Sequence, residues 1–214
     1  LSEVTPADVK NVDRETARAL GEAWGRLAYQ SGRSSALERA RSLLLPLAQR
    51  DDATAAELLR AGQLELVSGN LDASENLLRR SLRRAPEQPE ATNNLAYVLL
   101  RRGERLDEAR TLAEDAIRRN GRVAAYHDTL ARVLMAQGRR DEARKSFEQA
   151  VALDGSCLDA WIGLALLHHA DGRAADVTAT LRKIDELLER APPPTDPVRR
   201  ELDMLRAQLS RGAE

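Results

Sequence analysis

The chain has 214 residues, 33 basic against 34 acidic, for a formal net charge of −1. That balance excludes a global field able to draw in nucleic acid or an anionic membrane, so the many charges read as solvated helix faces. Aromatic residues make up only 3%, and a core has to come from Leu, Ala and Val, which suits close-packed helices and not a β-sandwich.

In chain order, Thr5, Pro6, Ala7 and Asp8 form a helix-start signal for a short helix or arm. Ala17, Leu20, Trp24, Leu27 and Ala28 recur at helical spacing and predict an amphipathic helix over 14–30, stopped by Ser31 and Gly32. Residues 36–50 are Leu-rich and predict its partner, but Pro46 removes a backbone donor and clashes with the preceding turn, so a kink or break is expected there. From Ala55 the pattern becomes regular. Residues 55–88 place Leu58, Ala61 and Gly62 before Gly69, with Leu78 and Ser81 after it. Residues 89–123 place Leu95, Ala96 and Leu99 before Gly103, with Ala109 and Ala116 after it and one extra position between Glu104 and Glu108. Residues 124–157 carry two stripes, His127, Leu130, Ala131 and Leu134, then Ala143, Phe147 and Ala150; Gly138 parts them, and Asp141 is expected to cap the second helix. Residues 158–191 repeat the scheme with Trp161, Leu164, Ala165, Gly172, Val177, Leu181 and Ile184. Pro192, Pro193 and Pro194 then end helix formation, Thr195, Asp196 and Pro197 restart it, and Val198, Leu202, Leu205 and Leu209 line one side of a last helix.

Glycines 32, 69, 103, 138 and 172 act as a ruler, at intervals of 37, 34, 35 and 34 residues. A hairpin of that size cannot hide its apolar stripe alone, so copies must stack and the ends need atypical caps. The expected fold class is all-α, an α-solenoid of antiparallel helix pairs. Residues 1–54 form an arm and an atypical first pair; the regular copies are 55–88, 89–123, 124–157 and 158–191; residues 192–214 form a proline-rich linker and a capping helix. Docking of that last helix on another molecule is the alternative. Cys157 is the single cysteine, which excludes an internal disulfide and a multi-cysteine metal site and leaves an ordinary thiol. The longest apolar run, 161–167, falls far short of the roughly 18 residues of a membrane helix. A start at Leu1 without Met reads as a processed or excised piece, expected to be soluble, with the cytoplasm favoured over the periplasm.

The copies resemble tetratricopeptide repeats. Counting from the first residue of each copy, the 124–157 segment matches that pattern with Leu130, Ala131, Leu134, Gly138, Ala143, Phe147 and Ala150. The 158–191 segment matches with Trp161, Leu164, Ala165 and Gly172, then departs with Val177 at position 20 and Ile184 at 27; the 55–88 segment departs with Ser74 and Ser81 at the same places. The run Asn93, Asn94, Leu95, Ala96, Tyr97, followed by Leu106, Asp107, Glu108 and Ala109, is similar to bacterial members. The resemblance implies a right-handed superhelix whose first helices line a concave groove for an extended peptide or a partner's helix. It implies scaffolding, with no catalysis and no cofactor.

If positions 4, 7, 8 and 11 of a first helix face the core, positions 2, 5, 9, 12 and 13 share the other face. The candidate partner-binding residues are therefore Tyr29, Leu59, Gln63, Leu66, Asn93, Tyr97, Arg101, Asp128, Arg132, Met135, Ile162, Leu166 and His169, a polar middle joined to a more apolar end. An ordinary solvated face with scattered apolar residues is the competing reading. Asn94 stands at position 6, where the family often holds a peptide backbone; a hydrogen bond to a neighbouring helix is the alternative. A carboxylate clamp of the family's kind is not expected, because Leu59, Gln63, Ala125 and Thr129 occupy four of its five places and the basic residues are missing. His168 and His169 are adjacent and point about 100° apart on a helix, so they form no shared metal site. His127, Asp128 and Thr129 lack a nucleophile in a strained turn, and no phosphate loop occurs. The expected partner is a protein or peptide, without nucleic acid or membrane insertion. The alternative is a self-assembling homo-oligomer built through end faces such as 198–209.

Overall fold

The computed structural model describes residues 13–190 and 196–211. The arm signalled at 5–8 and the prolines at 192–194 lie outside the described residues. Within them every regular element is a helix, and the chain divides into two compact units at Arg102 and Gly103. The first unit holds α1 (Arg14–Ser31), α2 (Ser34–Gln49), α3 (Ala55–Val67), α4 (Leu71–Arg84) and α5 (Pro89–Arg102). The second holds α6 (Leu106–Arg119), α7 (Ala124–Ala136), α8 (Arg140–Leu153), α9 (Leu158–Ala170), α10 (Ala174–Arg190) and α11 (Asp196–Arg211).

Local chemistry sets the helix ends. Asp13 caps α1, accepting from the backbone N–H groups of Glu15 and Thr16 at 3.0 Å each, and those bonds hold its carboxyl below the usual range. Thr54 and Glu57 form a reciprocal capping box on α3. All five ruler glycines adopt positive φ, between 64° and 81°. After Gly69, Gly138 and Gly172 the next N–H bonds back to the carbonyl of Glu65, Leu134 and His168, at 2.8, 2.9 and 2.9 Å, which satisfies helix-end carbonyls that would otherwise be stranded. The extra position in the 89–123 copy is absorbed by Arg105, the one non-glycine among the described residues with positive φ, at 51°.

Two local expectations need correction. Of the kink or break expected at Pro46, the break does not occur: α2 runs on to Gln49, with Leu47 and Ala48 of its last turn buried at 8% and 1% exposure, packing that offsets the lost hydrogen bond. α8 starts at Arg140, which puts Asp141 in the first turn rather than at the cap.

In the first unit, Ala17, Trp24 and Ala28 of α1 pack on Ala36, Ala40, Leu43, Leu44 and Leu47 of α2, with Leu64 of α3 joining them. Ala48, Ala53, Leu58, Ala61 and Leu77 continue that core toward α4. In the second unit, Phe147 of α8 sits among Ala131, Leu134, Ala160, Leu164 and Leu167 from α7 and α9. α9 is apolar on every side because α7, α8, α10 and α11 all pack against it. Leu202 and Leu205 of α11 close over Ile162, Ala165 and Ile184.

The serines at positions 20 and 27 are not defects. Ser74 Oγ donates to the Gly62 carbonyl at 2.8 Å, and Ser81 Oγ lies 2.8 Å from the Ala55 carbonyl and 2.9 Å from Gln88 Oε1. Both side chains are fully buried and hydrogen-bonded to α3.

Candidate functional site

The first helices α3, α5, α7 and α9 each place position 5 in the interior. Leu59, Asn93, Asp128 and Ile162 are 2%, 6%, 8% and 0% exposed. They do not present an open face, and this corrects the expectation drawn from the helical wheel. In the second unit the reason is visible. On α7, Arg132 holds Asp128 one turn away at 2.9 Å and reaches over to α9, donating to the main-chain oxygen of Asp159 at 2.9 Å. Ile162 is covered by α11.

The accessible stripe is rotated toward positions 2, 9 and 13. Ala56, Ala125, Val67, Arg101, Ala136 and Ala170 are exposed, and Glu90, Gln63, Tyr97, Arg132, Asp159 and Leu166 are half-buried. Position 12, with Leu66, Met135 and His169, is half-buried along one flank. Glu90, Val67 and Asp159 were not singled out from the sequence; their signal is the step from position 2 to 9 to 13, which follows one helix face. The side chain of Tyr29 lies outside the described residues.

Each unit carries its own version of this stripe. In the first, Arg60 donates to Gln63 Oε1 at 2.9 Å and to Glu90 Oε1 at 2.8 Å, and Gln63 Nε2 donates to the same Glu90 oxygen at 2.7 Å, tying α3 to α5. One turn further, the Arg101 guanidinium lies 5.9 Å from the centre of the Tyr97 ring, a cation–π contact; among the described residues no acceptor takes its donors. Val67 stands on the same face at 55% exposure. In the second unit the Asp128–Arg132–Asp159 cluster is internally paired, with Met135, Leu166 and His169 beside it. Asn94 Nδ2 is buried without a hydrogen-bond partner, so the structure does not supply the neighbour-helix bond weighed for it.

His127, His168 and the cysteine take structural places. His127 Nε2 meets the Gly121 carbonyl at 3.0 Å, and Trp161 Nε1, at the equivalent position of the next copy, donates to the Gly155 carbonyl at 3.0 Å. Burial, and then the charge of Arg173, push His168 below the ordinary histidine value. Burial pushes the Cys157 thiol up to about 11, away from thiolate reactivity. No group of three or more metal-ligating side chains comes together among the described residues, and no described helix is long and apolar enough to cross a membrane.

Solved structures resemble this chain over most of its length. TTC0263, a thermophilic tetratricopeptide protein of Thermus thermophilus, aligns with a TM-score of 0.70 and 23% identity over 93% of this chain and 98% of its own. MamA from Desulfovibrio magneticus RS-1 aligns at 0.57 and 15% identity over 79% of this chain and 93% of its own. A mutant O-GlcNAc transferase of Thermobaculum terrenum is 31% identical at a TM-score of 0.53, over 56% of this chain but only 23% of its own, and that partial likeness carries no activity across. No curated protein sequence matches the chain. The tetratricopeptide repeat family model matches residues 59–125 and 129–197; with glycines at the turn of each hairpin and the alternating first and second helices described above, the chain belongs to the tetratricopeptide repeat family of protein-interaction scaffolds.

Proposed function

We propose that this scaffold is non-catalytic and binds an extended segment of a protein partner along the open stripe of the first helices in its first unit. The observation that carries the reading is on the first unit. Arg101 is exposed, lies 5.9 Å from the centre of the Tyr97 ring and has no acidic partner among the described residues, and Val67, at the same repeat position on α3, is an exposed apolar side chain. An acidic side chain set next to an apolar one on the incoming segment matches that pair. The nearly neutral net charge favours a protein partner over nucleic acid. Quantitative capture from cell extract with wild type and with Tyr97→Ala/Arg101→Glu tests the assignment. The double variant should keep its helical circular dichroism and lose the proteins the wild type retains; identical retention refutes it.

A second reading is self-assembly through α11, favoured by Met204, 59% exposed on that end helix. Light scattering of Met204→Glu against wild type separates the two, since only self-assembly lowers the mass.

A further inference from the structure

A stack of similar hairpins faces a difficulty of its own making. Each hairpin offers apolar faces that fit other hairpins of the same kind, so skipped, exchanged or end-to-end dockings compete with the native order. Apolar contact is non-directional and discriminates weakly. Around Phe147 the packing is of this apolar type, drawing Ala131, Ala143, Ala160 and Leu164 together.

The seam between the α1–α2 hairpin and α3 is built differently. Two carboxylates on α3, Glu57 and Glu65, are each only 2% exposed. Arg14 of α1 forks both oxygens of Glu57, Nε to Oε1 and Nη2 to Oε2, at 2.7 Å each. Arg41 of α2 holds Glu65 in the same way, at 2.9 and 3.5 Å. The remaining acceptor capacity is used as well. Glu57 Oε2 accepts from the Thr54 N–H at 2.7 Å and its hydroxyl at 3.0 Å, and Glu65 Oε2 accepts from Asn70 Nδ2 at 2.5 Å. One arginine thus comes from each helix of the hairpin, onto the two ends of a single helix.

Measured from the turn glycines, these charges replace apolar residues. Glu57 stands where Ala91, Tyr126 and Ala160 stand in the other copies, all buried. Glu65 takes the place of Leu99 and Leu134, the last copy carrying the half-buried His168 there, and Arg41 takes the place of Leu78 and Phe147. A hairpin other than α1–α2 docked on α3 would therefore bury two carboxylates with no guanidinium to meet them, which costs far more than a poor apolar fit.

We infer that the Arg14–Glu57 and Arg41–Glu65 pairs key this seam, so that α3 accepts the α1–α2 hairpin and refuses an uncharged hairpin face, including the end face of a second copy of this chain. The stability of such pairs is unremarkable beside an apolar replacement; their contribution is discrimination between partners.

The full chain tests this with three variants, read by hydrogen exchange and by light-scattering chromatography. Arg41→Glu should cut amide protection across α1 and α2 by about a hundredfold, as removal of one partner of a buried pair implies, while α3 to α5 keep theirs. Arg41→Glu/Glu65→Arg should restore it. The apolar seam, Arg14→Met/Glu57→Leu together with Arg41→Met/Glu65→Leu, should stay helical with α1 and α2 protected, yet spread into species heavier than wild type. The inference is overturned if the reversal leaves protection unchanged, if the exchanged charges fail to rescue, or if the apolar seam folds and shows the wild-type mass alone. Should the apolar seam not fold, reversal and rescue decide the matter by themselves.

Discussion

A single methyl group added at Gly163 is the sharpest probe of the α8–α9 packing. A Cβ built there falls well under 3.0 Å from Cε1 and Cζ of Phe147 and 3.0 Å from its Cδ1, where carbon atoms in contact sit about 3.5–4.0 Å apart. The ring cannot swing clear. Phe147 is fully buried, with Ala131, Leu134, Ala143, Ala150 and Leu164 around it, and an interior this dense has no vacant volume to receive a rotated ring. Overpacking of this kind costs about 1–3 kcal/mol, and the clash is severe enough to place Gly163→Ala at the upper end. Replacing a mid-helix glycine by alanine returns about 0.5–1 kcal/mol, so the net loss is about 2 kcal/mol. Urea unfolding followed at 222 nm reads it, with hydrogen exchange over α7 to α10 locating it. Phe147→Leu in the same chain should make the added methyl tolerable, so the double variant should lose at least about 0.5 kcal/mol less than the sum of the singles. Gly25→Ala is the control: its Cβ would lie 3.5 Å from Leu64 Cδ2, an ordinary contact, and the substitution should stabilise by up to about 1 kcal/mol. A Gly163→Ala midpoint at or above wild type refutes the packing argument.

Other perturbations follow from the same geometry. Arg105 holds φ at 51°, a left-handed conformation that costs a residue with a Cβ about 1 kcal/mol; Arg105→Gly should raise the urea midpoint, and a lowered one refutes the strain. Glu57 is held at about 2, below its ordinary 4.5, chiefly by the Arg14 side chain. Because the folded carboxylate resists protonation more than the unfolded one, its contribution is complete above pH 4.5 and disappears as pH falls toward 2. Glu57→Gln should flatten that acid limb in a pH series of α1–α2 hydrogen exchange. Leu205 of α11 is fully buried, and Leu205→Ala should cost α11 about 2–5 kcal/mol of docking, read as lost protection in α11 while α7 and α8 keep theirs.

What could be read from the residues alone was whatever depends on neighbours in sequence. The glycine ruler reports a backbone need, positive φ at each hairpin turn, and all five positions meet it. The extra residue of the 89–123 copy likewise surfaced where the spacing put it, between Glu104 and Glu108, at Arg105. The misreadings share the opposite cause. Position 5 lies on the free side of an isolated hairpin, and only the placement of the next first helix, where Arg132 reaches the Asp159 carbonyl, decides that Asp128 is buried while Ala136 stays open. Pro46 allows a kink or a break by local rules, and with Leu47 and Ala48 buried beyond it the helix is not broken. Glu57 and Glu65 read as solvated charges, since their partners Arg14 and Arg41 stand 43 and 24 residues away and no helical period connects them. The residues that decide which hairpin docks where are therefore the ones a repeat pattern hides. A periodic template registers them only as departures, and a departure into charge at a buried position, matched by a second departure on the preceding hairpin, is the signature by which keyed seams can be sought in other repeat chains.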